Sequence, residues 1–310
     1  MLGPAWTDVV ALAAAFAIAT LATPAGISGA VLLLPFQVSV LGTPSPAVTP
    51  TNLLYNVVAT PGALYAYWRR RRQRQAGGGR LAVLLMAGTV PGVIAGSTVR
   101  VEFLPGPGVF DLVVAAVLVP LGAWLALSRP PARAGLAAAA GPAGPAGAAG
   151  AAGPAGPAGP AGPGGPAGPA GPAGAAGPAG RGRAMPTPAL VVLAAAVGCV
   201  GGIYGIGGGS ILAPILIAGG RRPAEVAPAA LASTFVTSLA GVGTFAILAL
   251  HQHGTIAPDW PTGLALGAGG LAGGYLGARL QPRLPDALIR TLIGVLVIAI
   301  GARYLWSGLA

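Results

Sequence analysis

The sequence predicts an all-α polytopic membrane protein made of two inverted-topology repeats of transmembrane helices joined by a low-complexity linker. Three observations predict it: very little charge, apolar runs of helix-spanning length, and an ordered internal repeat whose loops alternate in charge. Of the 310 residues, only 7% are charged and 54% are hydrophobic, and the mean hydropathy is +0.77. A soluble domain carries about 25% charged residues, so this chain cannot cover a water-facing surface of its size.

Apolar segments fall at 9–25, 30–41, 47–68, 81–99 and 109–127, and again at 189–204, 209–219, 225–250, 262–279 and 287–306. A bilayer core needs about 20 apolar residues per helical span. The expected division is a first transmembrane repeat at 1–128, a Gly-Pro-Ala-rich disordered linker at 129–188 and a second repeat at 189–310. The N-terminal MLGPAWTD lacks a basic n-region, so the first apolar run is expected to stay as a membrane helix. Cys199 is the single cysteine; it excludes an intrachain disulfide and reads as a small packing residue.

Glycine recurs at every third position from Gly141 to Gly180. Such a period permits a collagen-type triple helix, which would make the tract an oligomerising stalk. The short length and the alanine at most third positions favour an extended, mobile linker instead.

The flanks of this tract repeat one another in order. Gly26-Ile27-Ser28-Gly29-Ala30 with Pro35 matches Gly205-Ile206-Gly207-Gly208-Gly209 with Pro214. Val48, Pro50 and Leu53 match Val226, Pro228 and Leu231; Gly92 and Gly96 match Gly270 and Gly274; Leu104-Pro105 matches Leu284-Pro285, and Gly122 matches Gly301.

Loop charge assigns the direction of each half. The net charge of +11 comes entirely from arginine, and these arginines fall between apolar runs. They read as topology signals and give no case for a nucleic-acid partner; the partner they imply is the lipid bilayer. Arg69, Arg70, Arg71, Arg72, Arg74 and Arg80 fill one loop of the first half, while its counterpart, His251 to Trp260, has no arginine. The next loop reverses the balance: Arg100 is offset by Glu102 and Asp111, against Arg279, Arg283 and Arg290 with Asp286. The earlier loop agrees, with Gly42 to Val48 uncharged and Arg221 and Arg222 in the second half. Positive loops stay in the cytoplasm, so the halves are expected to be inverted, with the linker flanks Arg129, Arg133, Arg181 and Arg183 inside; Arg303 departs from the pattern. Inversion needs an odd number of crossings per half. The short first two segments of each half must then return the chain to one side, as two short spans or one re-entrant hairpin, and the sequence leaves both open.

No Asp, Glu or Arg stands near a predicted span centre; Asp8, Asp111, Glu225 and Asp286 lie at segment ends. There is no catalytic triad, no phosphate loop and no metal-ligand cluster, so no enzyme, cofactor or metal is expected. His251 and His253 lack a third ligand and read as loop residues. Trp6, Trp68, Trp260 and Trp306 near segment ends read as interfacial anchors.

What remains is a glycine-rich break in each half. Gly26, Ser28 and Gly29, and Gly205, Gly207, Gly208 and Gly209 with Ser210, can aim successive backbone N–H groups into one concavity at the start of a helix. Asn52 and Asn56, one turn apart, and Ser233, Thr234 and Thr237 on the equivalent helix add uncharged hydrogen-bond donors. The same residues could instead serve close helix packing, interhelical hydrogen bonds or bonds back to their own helix.

The stretch GCVGGIYGIGGGSILAP (198–214) resembles the first signature of the sulfite exporter TauE/SafE family, as does EVAPAALASTFVTS (225–238); PAGISGAVLLLP and AVTPTNLLYNVVA repeat the pattern more weakly. The resemblance spans nearly all of the chain outside the triplet tract. It implies a multi-pass permease of the plasma membrane and a sulfur-containing anion as cargo. The first break is poorer in glycine than the family tends to be, and the triplet insertion is unusual. The function expected is therefore a permease for a small anion, sulfite or an organosulfonate, working in export. The alternatives are a non-transporting membrane scaffold oligomerised through its collagen-like tract, or a permease for another small ion. A homo-oligomer stays open.

Overall fold

The computed structural model describes residues 4–74, 79–103, 185–251 and 256–285, with scattered positions between 288 and 306. The segment 109–127, the triplet tract with its arginine flanks, Asp111, His253 and Asp286 lie outside the described residues. Among the described residues every regular element is helical. The first half contributes α1 (Pro4–Ala22), α2 (Ala30–Ser39), α3 (Ser45–Arg74) and α4 (Gly79–Glu102). The second contributes α5 (Thr187–Tyr204), α6 (Gly208–Ala218), α7 (Pro223–His251) and α8 (Trp260–Leu280). All of them fall in one compact unit, so the two halves share a core.

The first two segments of each half are unequal. α1 and α5 have 19 and 18 residues, and both meet the length and hydropathy of a membrane span, as do α4 and α7. α2 and α6 have only 10 and 11 residues. At 1.5 Å per residue each covers about half of a bilayer core. The break in each half is thus a long helix followed by a short one that starts inside the protein.

The glycine that makes the turn is the same in both halves. Gly26 (φ 76°) and Gly205 (φ 79°) sit in the left-handed region, which a side chain disfavours. Each turn presses on the other half. A Cβ on Gly26 would stand 2.5 Å from Ala227 Cα in α7, and one on Gly205 would stand 2.5 Å from the Thr49 carbonyl oxygen in α3. Since Val48 matches Val226, these are the same contact made twice, with the halves exchanged.

The closest helix pairs also cross between halves: α4 lies along α5, and α8 along α1. Gly88, Gly92 and Gly96 abut the carbonyl groups of Val191, Ala195 and Cys199, while Gly269, Gly273 and Gly277 abut those of Leu12, Phe16 and Thr20. Glycine stripes of this kind let membrane helices approach backbone to backbone. Residue numbers rise together in each pair, so both pairs run in parallel. By contact, then, Gly92 corresponds to Gly273 and Gly96 to Gly277, three residues beyond the match with Gly270 and Gly274. The reason is that α8 carries glycine on two faces. Gly270 and Gly274 turn toward Tyr55 and Ala63 of α3, where Gly62 also abuts the Leu271 carbonyl, while Gly269, Gly273 and Gly277 form the face against α1.

Hydrogen bonds locate the helix ends. Arg70 Nη2 donates to the Arg279 carbonyl (2.6 Å), Gln281 Nε2 to the Pro24 carbonyl (2.5 Å) and the Tyr67 hydroxyl to the Thr23 carbonyl (3.2 Å). The Arg70 end of α3 and the Arg279 end of α8 therefore lie together. At the opposite end the Asp259 N–H donates to Thr51 Oγ1 (2.8 Å), and Leu53, Phe245 and Ile256 cluster with Val101. Two charged stretches expected as loops are helical: Arg69 to Arg74 extend α3, and Arg100 lies inside α4, 2% exposed. Helix propensity is ordinary for arginine, so nothing in those residues stops the preceding helix.

The surface carries many apolar side chains, and the largely apolar interior also encloses polar ones. Val9, Leu12, Val83, Val192, Ile247 and Leu264 are exposed, while Gln37, Thr49, Asn52, Asn56, Thr89, Ser233, Thr234 and Thr237 are fully buried. A lipid surround explains both, because polar groups in hydrocarbon must find partners inside the protein.

Candidate functional site

The two short helices begin beside one another inside the protein. Thr89 lies near the middle of α4, and Ser233 and Thr234 lie in the inner part of α7. Around them α2 and α6 present their N-terminal turns. In α2 the first-turn N–H groups are engaged locally, Ala30 with Ser28 Oγ (3.2 Å), Val31 with the Ser28 carbonyl (3.4 Å) and Leu32 with the Gly29 carbonyl (3.0 Å), and in α6 the Ser210 N–H bonds to the Gly207 carbonyl (3.3 Å). What each turn still presents is the positive end of a helix dipole.

One hydroxyl ties the halves together. Ser210 Oγ accepts from the Ser28 N–H (3.2 Å) and donates to the Ile206 carbonyl (3.0 Å). Its proton being committed, the 3.2 Å contact with Thr234 Oγ1 makes Thr234 the donor. Ser28 Oγ accepts from the Ala30 N–H (3.2 Å) and donates to Asn56 Oδ1. Thr89 Oγ1 donates to the Leu85 carbonyl (2.8 Å), so the Ser233 hydroxyl donates to Thr89 (2.9 Å). The network runs from α3 through both breaks to α7, with a parallel link from α7 to α4, and holds no charged group.

Two donors flank it with nothing to bind. Asn56 Nδ2 on α3 and Ser238 Oγ on α7 are buried and lack a hydrogen-bond partner. Ser238 Oγ lies 3.0 Å from where a Cβ on Gly207 would stand, so the glycine keeps that hydroxyl's surroundings open. Buried polar groups are nearly always paired, and an unpaired one costs about 1–3 kcal/mol.

The expected site residues sort into four groups. Ser28, Asn56, Gly207, Ser210, Ser233 and Thr234 converge on the network. Gly29 opens α2 against the Tyr55 hydroxyl, Gly208 abuts Thr89, and Gly209 abuts the Ala230 carbonyl. Gly26 and Gly205 are turn formers whose own N–H groups are taken by the Thr23 and Gly201 carbonyls, both at 2.8 Å. Asn52 has its amide committed to α2: Nδ2 donates to the Ala30 carbonyl and Oδ1 accepts from Gln37 Nε2, both at 2.9 Å. Thr237 donates to carbonyls of its own helix, Ser233 (2.7 Å) and Thr234 (3.1 Å). Thr89 and Gln37 went unseen in the sequence because a lone threonine or glutamine in an apolar run carries no pattern. Arg100 was visible but read as a loop residue. Among the described residues no group of three or more His, Cys, Asp or Glu could hold a metal ion.

Comparison with known proteins places this architecture. The chain is 30% identical over 131 residues to a probable membrane transporter protein of Xylella fastidiosa (strain 9a5c), covering 41% of this chain and 46% of the relative. It is 30% identical over 119 residues to the probable membrane transporter protein YunE of Bacillus subtilis (strain 168), covering 38% and 41%. The chain thus matches less than half the length of these relatives. No solved structure matches it. The family model described as Sulfite exporter TauE/SafE matches residues 11–304. With helices that can cross a bilayer, apolar outer faces and a match over almost its whole length, this multi-pass membrane protein belongs to the sulfite exporter TauE/SafE family.

Proposed function

We propose that the protein is a permease of the cell membrane that carries a small oxyanion, sulfite or an organosulfonate, outward through a site between two inverted halves. The observation that carries this reading is two unpartnered buried donors, Asn56 Nδ2 on a side chain bonded to Ser28 before α2 and Ser238 Oγ beside Gly207 before α6. Donors without a fixed charge suit a passenger that must also leave. The family description supports a sulfur oxyanion as cargo. Transporters commonly place substrate at the start of broken helices near the midplane, between repeats.

The exchanged contacts support inversion. If the arginine-rich ends of α3 and α8 face the cytoplasm, α1 to α4 and α5 to α8 enter the bilayer from opposite sides. An inside-negative potential then favours export of a monoanion by about 2.3 kcal/mol per 100 mV, so tight proton coupling is not required.

Purified protein in liposomes loaded with labelled sulfite, an organosulfonate, sulfate or chloride tests the cargo: at least one sulfur anion should leave faster than from protein-free liposomes. If none does, the reading falls. Single cysteines at Arg69 and His251, in a chain lacking Cys199, test the orientation. A membrane-impermeant reagent outside intact cells should reach His251→Cys and spare Arg69→Cys; equal labelling of the two positions overturns the inversion, and labelling of position 69 alone overturns its direction.

A further inference from the structure

We propose that the outer face of α3 and α8, at their arginine-rich ends, binds the headgroup of an anionic phospholipid, with Arg69 and Arg279 on its phosphate and Tyr65 and Tyr275 one turn below. The two helices carry the same pair. On each, an arginine follows a tyrosine by one turn, and its guanidinium lies over that ring. Arg69 Cζ stands 5.9 Å from the Tyr65 centroid, and Arg279 Cζ stands 4.8 Å from that of Tyr275. The rings join the pairs across the seam: Tyr65 stacks on Tyr275 (6.3 Å) and, within α3, on Trp68 (6.1 Å). Both arginines, Tyr65 and Trp68 are exposed, so the face opens on its surroundings. Among the described residues neither Arg69 nor Arg279 is paired with a carboxylate.

The order of residues along the face identifies the occupant. Leu264, Leu271, Tyr275 and Arg279 follow at spacings of seven, four and four, so they form one stripe of α8. Leu264 and Leu271 are exposed, and the stripe passes from hydrocarbon through an aromatic ring to a guanidinium. The end of α3 repeats the order, with Tyr65 and Trp68 before Arg69. A phospholipid has the same profile: acyl chains, a glycerol ester layer, then a phosphate. Tyrosine and tryptophan settle at the ester level of a bilayer, and basic residues beyond them attract anionic lipids. A second feature favours an anion here. Arg70 Nη2 and Arg283 Nη1 both donate to the Arg279 carbonyl, at 2.6 and 3.3 Å, which brings four arginines to one end of the seam. Like charges gathered in this way repel, and a phosphate among them lowers that cost. A ring occupies only the face of a guanidinium, and the N–H groups on its edge are left to grip a phosphate.

A purely structural role is also definable: the arginine–tyrosine pairs would only brace the helix ends. That role is blind to lipid type. The test uses the full chain in neutral detergent with phosphatidylglycerol, phosphatidylcholine of the same acyl chains, or soluble glycerol phosphate. Native mass spectrometry reads the bound lipid, and a thermal-shift measurement reads the melting temperature. Phosphatidylglycerol should stay bound and raise the melting temperature, and the other two should do neither. R279Q should raise the apparent Kd for phosphatidylglycerol about fivefold, and R69Q with R279Q about twentyfold, the scale of one and two basic residues at a lipid surface. The hydrogen bonds at position 279 use its carbonyl, so the lipid-free variants should melt near the parent. R80Q removes the same charge from α4, which packs on α5 and α7, and should bind the lipid as the parent does. Parental affinity in the double variant overturns the site, and so does a loss in R80Q equal to that in R279Q. Should the double variant fail to fold, equal binding of the two lipids by the unsubstituted chain overturns it alone. Glycerol phosphate bound as tightly as phosphatidylglycerol overturns a lipid as the occupant.

Discussion

At Gly26 and at Gly205 the chain makes the same left-handed turn and presses it against the same position of the opposite half, Ala227 in one case and Thr49 in the other. Beyond the turn the two breaks part. The first puts Ser28 at the start of its short helix, and that side chain bonds to Asn56 and to the Ala30 N–H. The second puts Gly207 in the equivalent place, with φ 69°, and leaves the neighbouring Ser238 hydroxyl unpartnered. One break has filled its space with its own polar side chain, and the other has kept the space open. A duplicated backbone has thus acquired unequal chemistry.

The comparison breaks most decisively at the turns themselves. Gly205→Ala and Gly26→Ala each force a side chain into the left-handed region and against the opposite half. Each should cost roughly 2–4 kcal/mol from strain and overpacking together. Both should melt well below the parent protein in a detergent thermal-shift measurement. If one is tolerated and the other is not, the turns are not equivalent. Next in size, Asn56→Ala leaves the Ser28 hydroxyl without its acceptor and removes an unpartnered donor. About 1–3 kcal/mol of stability should go, together with sulfite flux. Asn52→Ala should lose a similar amount of stability yet keep the sulfite KM, since its partners belong to α2; a raised KM would move Asn52 into the site. Ser238→Ala sharpens the contrast. It removes a hydroxyl that bonds to nothing in the protein, so stability should hold or rise while sulfite KM increases. The smallest effect is expected from deleting 141–180, after which flux per folded molecule should be unchanged. Loss of an oligomer and of function together would favour the scaffold reading over transport.

Much of the site could be read in the sequence because its features are local. A glycine run followed by a proline, and hydroxyl residues at helical spacing, are visible without knowing what lies opposite. The residues that were missed depend on what lies opposite. Thr89 matters because it faces Ser233 across two helices, and Arg100 because α4 continues through it into a packed interface. Asn52 and Asn56 share a helical spacing, yet a short helix lies against one and a turn against the other, so they do different work.

The sequence by itself determined that this is a membrane protein and where its glycine-rich breaks fall, because hydropathy and glycine content are properties of the chain in order. Only the tertiary structure decided which glycines meet a backbone, that Gly92 answers to Gly273, and which donors remain unpartnered. Those are properties of pairs distant in sequence. Close approach and hydrogen bonding fall off within an ångström or two, so a register error of three residues, invisible in a list of glycines, changes every partner.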